Sequence, residues 1–293
     1  MNGILCLDKP ADMTSFSCCA VLRRLCQEKK VGHAGTLDPM ATGVLPVLVG
    51  NATRALDWLP VHDKRYTATL RFGLKSDTLD IWGHVTETGG PVPTREAILA
   101  ALPAFRGEIM QTPPMTSALR QNGVRLYELA RRGIEVERPA RPVTIHTLTL
   151  LNFDPSTREA TIDCACSKGT YIRSLCDDLA RALGTSAVMT ALRRTEAAGF
   201  TLGDCLTLDR ARALAEEGAL TARLIPTETL FSGYAAVNVT EKQARRFANG
   251  GALELARLHQ PVAGTVRVYA PDRRFLGLGV PADGSLTVGK LFP

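Results

Sequence analysis

Between Glu159 and Gly184 the hydrophobic period of the chain changes from two to about 3.6, and this change constrains the fold more than any other feature. Ala160, Ile162, Cys164 and Cys166 fall on one face of an alternating strand. After Ser167–Arg173 come Ile172, Leu175, Cys176, Leu179 and Leu183 at helical spacing, with Gly184 as the stop. The period thus gives a strand followed closely by an amphipathic helix. A second alternation, Tyr66, Ala68, Leu70 and Phe72 against Thr67, Thr69 and Arg71, reads as a half-buried strand. Ile4–Leu7 reads as a buried strand that ends at Asp8-Lys9-Pro10, where the proline stops regular pairing. Thr14 or Ser15 caps a helix predicted to reach about Glu28, with Cys18, Val21, Leu22, Leu25 and Cys26 on its apolar face. Thr94 caps a short helix through Leu102, Gly133 ends another at Tyr127–Arg132, and Gly73–Gly83 reads as a polar loop carrying Asp77 and Asp80.

At 293 residues, 45% hydrophobic and 22% charged, the chain has the composition of a globular protein with room for one large domain and one small one. Pro226–Gly233 is the candidate boundary. Beyond it, Val266–Tyr269 and Leu276–Val280 read as strands of a small β-rich module. No apolar run approaches membrane-spanning length, and the first residues lack the pattern of an export signal. The eight cysteines are therefore expected to be reduced, in a cytoplasmic protein with no membrane association. Their spacings, such as Cys164-Ala165-Cys166 and adjacent Cys18-Cys19, are not those of common zinc sites, so no metal is expected. A net charge of +6 favours a polyanionic partner. The stretch 115–146, with Arg120, Arg125, Arg131, Arg132, Arg138 and Arg141, is strongly basic. Alone it reads as a solvated helical hairpin; combined with the motifs below it reads as a phosphate-binding appendage.

The octapeptide Gly32-His33-Ala34-Gly35-Thr36-Leu37-Asp38-Pro39 presents one carboxylate in a Gly-rich segment. Pro39 biases Asp38 away from the helical region, and the glycines permit close backbone approaches. A carboxylate held in this way is a candidate working group. Arg173 stands beside core-facing Ile172, about a quarter-turn away, and from the local pattern reads as a surface residue.

Gly3-Ile4-Leu5-Cys6-Leu7-Asp8-Lys9-Pro10, Gly32 through Gly43, Lys64-Arg65-Tyr66 and Ser167 through Arg173 occur in that order. They are joined by Ser117-Ala118-Leu119, Leu126-Tyr127-Glu128 and Leu192-Arg193-Arg194. Together they closely resemble the TruB family of bacterial tRNA pseudouridine synthases over about the first 200 residues. The tail resembles a PUA-type RNA-binding module more weakly. The resemblance implies an α+β fold with a mixed, largely antiparallel catalytic sheet and flanking helices. It divides the chain into a catalytic domain at 1–228, with a basic insertion at about 115–146, and a β-rich PUA-like domain at 233–293.

The implied activity is isomerisation of the tRNA T-loop uridine, position 55, to pseudouridine. There is no net atom transfer or redox change, and hence no cofactor. The target base must be flipped out of the folded RNA. By the same resemblance Asp38 is the essential carboxylate, Tyr66 stacks on the target base and is a candidate proton acceptor, and Arg173 pairs with Asp38. The last assignment reverses the local reading of Arg173. Leu192 lines the uracil pocket, His33 enters the RNA stack in place of the flipped nucleotide, and Asp80 organises the site. Lys9 and Lys64 are expected to be structural or close to phosphates. Trp82 departs from the family pattern, which often has a small or acidic residue there; of the two readings, stacking on RNA and packing beneath its loop, packing is expected. The partner implied is the tRNA T-arm, bound by a monomer without an obligatory protein partner. The alternatives are a guide-RNA-dependent pseudouridine synthase and a non-catalytic tRNA-folding chaperone.

Overall fold

The computed structural model describes residues 1–292. The chain begins with β1 (Gly3–Lys9), α1 (Ser15–Leu25), β2 (Val31–His33), β3 (Thr42–Val49) and β4 (Lys64–Phe72). A small hairpin of β5 (Leu74–Ser76) and β6 (Val85–Glu87) precedes α2 (Arg95–Ala101) and β7 (Gly107–Gln111). The two-residue strands β8 (Arg120–Gln121) and β9 (Val124–Arg125) and the short α3 (Leu126–Arg131) follow. Then come the long pair β10 (Arg141–Asp154) and β11 (Glu159–Cys166), α4 (Ile172–Ala182), β12 (Ala187–Ala197), β13 (Phe200–Thr201) and α5 (Leu208–Glu216). The last part contains β14 (Ala236–Asn238), α6 (Glu241–Ala248), β15 (Leu253–Glu254), β16 (Val266–Tyr269), β17 (Phe275–Ala282) and β18 (Ser285–Leu291).

The main sheet runs β1-β3-β12-β4-β11-β10-β7, with β2 on β3 and β13 on β12. Among these pairings only β3 with β12 is parallel, so the sheet is mixed and largely antiparallel. At that junction Arg194 lies opposite Gly43. Gly43 has φ +103°, and a Cβ there would strike the Arg194 carbonyl oxygen, so only glycine fits.

The alternating face of β4 and β11 and the apolar stripe of α4 bury a common core that includes Phe72, Ile162, Cys164, Leu175 and Leu179. On β1 and β3, Leu5, Leu7, Leu45 and Val47 meet α1 and α5. Thr14 caps α1 by accepting a hydrogen bond from the Ser17 N–H at 2.9 Å, and the helix ends three residues short of the expected Glu28. The expected polar loop at Gly73–Gly83 is partly the β5–β6 hairpin, whose strands of three residues are too short to show a period. The basic stretch is not a helical hairpin: β8, β9 and α3 form a small appendage, and from Arg141 onward the chain belongs to the main sheet.

The second sheet runs β14-β16-β17-β18-β15 and has its own core around Phe247, Val266, Val268 and Leu286. It docks on the main sheet through an aromatic cluster. Phe231 lies 5.6 Å from Phe292 and 6.2 Å from Tyr234 between ring centroids, in one core with Ile4, Val44 and Leu48. At the candidate boundary Pro226–Gly233 the chain is packed: Leu230 and Phe231 are buried. Seven cysteines are buried and Cys205 is partly so; none is in a disulfide. Among the described residues no helix is long and apolar enough to cross a membrane.

Candidate active site

A cleft of about 1740 Å³ opens over the loop between β2 and β3 and brings together every sequence-predicted site residue except Lys9. The loop's backbone is held from beneath by three buried side chains. Arg194, fully buried, donates to Val44 O (2.7 Å), Thr36 O (3.2 Å) and Gly35 O (3.0 Å). Ser15 Oγ, in the first turn of α1, accepts from Leu37 N–H at 2.8 Å and donates to Leu37 O at 3.1 Å. Lys9 Nζ donates to Pro39 O at 3.1 Å and to Pro10 O and Met13 O at 2.8 and 2.6 Å. The Ala41 N–H closes the turn on Asp38 O at 3.0 Å. Each carbonyl from Gly35 to Pro39 therefore has a partner, as buried backbone requires. Lys9 is fully buried, and its charge holds the loop, the structural of the two roles expected for it.

The Asp38 side chain remains free to project into the cleft, 37% exposed, where Arg173 Nε meets its Oδ2 at 3.0 Å. Arg173 is only 5% exposed, contrary to the local reading of a surface residue. The other edge of its guanidinium is fixed: Nη1 donates to Thr78 O at 2.9 Å and to Thr116 Oγ1, Nη2 donates to Thr116 O at 2.9 Å, and Asp80 Oδ2 lies 3.5 Å from Nη1. A cation in the first turn of a helix opposes the helix dipole, and the two carboxylates offset that cost. Burial pushes the Asp38 carboxyl above its ordinary value, with Asp80 adding to the rise, while Arg173 and Lys9 oppose it. Asp80 is itself fixed, its Oδ1 accepting from Thr78 Oγ1 at 2.7 Å and Trp82 N–H at 3.0 Å.

Tyr66 and Leu192 form the apolar wall. In the β4–β12 register Tyr66 is opposite Arg194 and Ala68 opposite Leu192, which places all four on one face. Burial pushes the Tyr66 phenol up to about 12, with Arg194 opposing the rise. His33, on β2, is held below its ordinary value by burial and by Arg194, so its imidazole is neutral at pH 7. Lys64 lines the cleft and donates to His62 O at 2.7 Å; burial and Arg194 lower its pKa. Trp82 is 53% exposed and lines the cleft, which corrects the expectation that it packs beneath the loop.

Two residues singled out for no role in the sequence prove central to the geometry. Arg194 carried a signal: it is two residues from Leu192 on a strand, hence a charge on the buried face. Gln111 carried none; its amide brackets the entry to α4, donating to Tyr171 O at 3.0 Å and accepting from Tyr171 N–H at 2.8 Å.

A partly exposed carboxylate thus meets a buried guanidinium beside the apolar wall of Tyr66 and Leu192 in an open cleft. Three family models cover the chain nearly end to end, and each describes a class of pseudouridylate synthase. Residues 23–172 match the TruB family pseudouridylate synthase N-terminal domain. Residues 173–232 match the tRNA pseudouridylate synthase B C-terminal domain, and 235–292 the pseudouridine synthase II TruB C-terminal domain. A tRNA pseudouridine synthase B of Bradyrhizobium diazoefficiens is 43% identical over 298 residues, covering 100% of this chain and 86% of that protein. One from Haemophilus influenzae is 40% identical over 281 residues, covering 95% and 89%. The chain belongs to the TruB family. Among solved structures, a chain from a Cbf5-Nop10-Gar1 complex superimposes with a TM-score of 0.74 at 25% identity, covering 99% of this chain and 85% of that one.

Proposed function

We propose that this protein isomerises the uridine at position 55, in the tRNA T-loop, to pseudouridine, with Asp38 as the reacting carboxylate. The observation that carries the reading is the 3.0 Å pair of Asp38 with buried Arg173, on a loop whose carbonyls from Gly35 to Pro39 all have partners. Arg173 keeps Asp38 charged and aimed against the opposing effect of burial. Attack on ribose C1′ and assistance of a glycal-type elimination both use that same ionised group.

The uracil, once detached from N1, must turn and rejoin through C5, so the site needs a slot in which a planar ring is held but can rotate. Tyr66 and Leu192 supply flat and apolar walls for that slot. Tyr66 is the stacking face and the candidate proton acceptor, and burial pushes its phenol up to about 12. Neutral His33, at the cleft edge, is suited to fill the stack that the extruded nucleotide leaves. The isomerisation involves no net redox change and needs no cofactor.

The partner in this reading is the T-arm of tRNA, bound by a monomer that needs no protein partner. The exposed arginines of the appendage contact phosphates and the loop bases alone are read directly. Full-length likeness to relatives named as tRNA enzymes supports this reading over a guide-RNA-dependent one.

The test is position-mapped pseudouridine formation on an unmodified tRNA transcript, with the wild-type protein and with Asp38→Asn. Product at the T-loop uridine from wild type, and none from Asp38→Asn despite retained tRNA binding, is the expected result. Near-wild-type turnover by the variant would remove Asp38 from the mechanism. Tight binding without product from either protein would favour a chaperone.

A further inference from the structure

Aromatic side chains in this protein are almost all inside it. Of nine Phe, two Trp and five Tyr, only Phe16 and Trp82 are exposed, at 68% and 53%. Both line the cleft that holds Asp38, Phe16 from the first turn of α1 and Trp82 from the β5–β6 connection. Exposing large apolar rings to water is unfavourable, and isolated instances elsewhere on a surface carry little meaning. Here the two largest exposures of aromatic surface meet at one concave feature.

Neither ring is on a loose segment. The backbone around Trp82 is anchored on both sides. Ile81 N–H donates to Met189 O of β12 at 3.0 Å, Trp82 N–H donates to Asp80 Oδ1 at 3.0 Å, and His84 N–H donates to Asp77 Oδ1 at 2.8 Å. Gly83 allows the turn to close: a Cβ there would collide with Asp77 Oδ1, Thr78 Oγ1 and Ser76 Oγ. Asp80, which holds the Trp82 N–H, also faces Arg173, the partner of Asp38. The indole is therefore indexed to the reacting carboxylate through one rigid network. Phe16 is indexed similarly, since the adjacent Ser15 holds Leu37, and the Arg23 guanidinium lies 6.0 Å from its ring centroid.

We propose that Trp82 is a stacking platform for an unpaired nucleobase of the substrate RNA, a neighbour of the extruded uridine and not the uridine itself, and that Phe16 with Arg23 forms a second, weaker platform. This rests on the assignment of the cleft to tRNA. Rigid, water-exposed aromatic faces in a groove that includes basic side chains are the elements by which proteins hold single-stranded nucleic acid, because every base offers a π-face. Target-base contacts are already supplied by Tyr66 and Leu192. Trp82 would then contribute to binding and register, being a positioning residue with no part in bond making.

The test combines steady-state kinetics and intrinsic fluorescence on an unmodified tRNA transcript. Trp82→Ala is expected to raise Kd and KM roughly tenfold with kcat little changed, whereas Trp82→Phe keeps most of the affinity. Phe16→Ala is expected to have a smaller effect of the same kind. The only other indole, Trp58, is partly buried. Hence tRNA should quench wild-type fluorescence, and Trp82→Phe should abolish the quenching while still binding. Replacing the stacked loop nucleotide by an abasic one should remove the difference between wild type and Trp82→Ala.

Wild-type product formation with unchanged KM in Trp82→Ala and no tRNA-dependent quenching would overturn the platform and leave the proposed activity standing. No product from wild type, under conditions where tRNA binds, would overturn the assigned activity. Absence of tRNA binding by wild type would overturn both.

Discussion

The loop carrying Asp38 and the appendage around α3 are both excursions from the main sheet, and they are built in opposite ways. In the loop each carbonyl from Gly35 to Pro39 is occupied, four of them by the side chains of Arg194, Ser15 and Lys9. In the appendage most charges face water. Tyr127 is flanked by Arg125 and Arg131, with their guanidinium carbons 5.8 and 5.4 Å from its ring centroid, and Gln121 donates to Glu137 O at 3.2 Å. The loop has buried polar groups that tolerate only one geometry. The appendage instead presents most of its arginines to solvent. Buried polar anchoring is thus concentrated where covalent chemistry is assigned, and exposed charge where only phosphates are to be met.

The contrast can be broken at several points. Arg173→Lys should lose at least about a hundredfold in kcat on unmodified tRNA, because an ammonium cannot span Asp38, Thr78 and Thr116 as the planar fork does. Near-normal turnover would reduce Arg173 to a general electrostatic role. Arg194→Met should leave three buried carbonyls without donors, and denaturant unfolding should show a loss of about 3 kcal/mol or more. Activity should fall with it, because the loop loses its support.

A pH profile sharpens the same point. Since burial raises the Asp38 carboxyl, the acid limb of kcat/KM should lie above the ordinary carboxylate value near about 4, with rate lost as pH falls through it. Stability runs the other way. The folded chain binds this proton more tightly than the unfolded one, so Asp38 contributes stability below the unfolded value and loses it as pH rises through the folded one. An acid limb at or below the ordinary value would show Arg173 dominating over burial. At the gentle end, Arg131→Ala in the appendage should change stability by less than about 0.5 kcal/mol, yet weaken tRNA binding and lower the salt-dependence slope by roughly one. A variant with an unchanged slope would place the appendage away from the RNA.

What could be read from the sequence follows the same division. Alternation on β4 and β11, the helical stripe of α4 and the Thr14 cap are local signals, and the structure has each of them. The burial of Arg173 is not local: it is created by Thr78 and Thr116, 95 and 57 residues away. Periodicity therefore placed Arg173 at the surface, and only family resemblance moved it to the site. Which of its two expected roles Lys9 takes is likewise not local, because it depends on Met13 and Pro39 folding over its ammonium. Trp82 differs from the reading that favoured packing beneath its loop: the ring lies outside, next to the tight turn at Gly83.

The aromatic seam joining the two sheets bears on how the second sheet's contribution can be measured. Phe231 is fully buried among Tyr234, Phe275 and Phe292, and the same core includes Trp58. Cutting the chain after this point would strip the cover from Phe231 and from part of the β1–β3 face, leaving a contiguous greasy scar of the kind that drives self-association. A truncated protein would precipitate or oligomerise for reasons unconnected with RNA, and its lost activity would be mistaken for a lost recognition element. Single charge reversals on the solvent side of α6, where Arg245 and Arg246 end the helix, test that sheet without opening the seam.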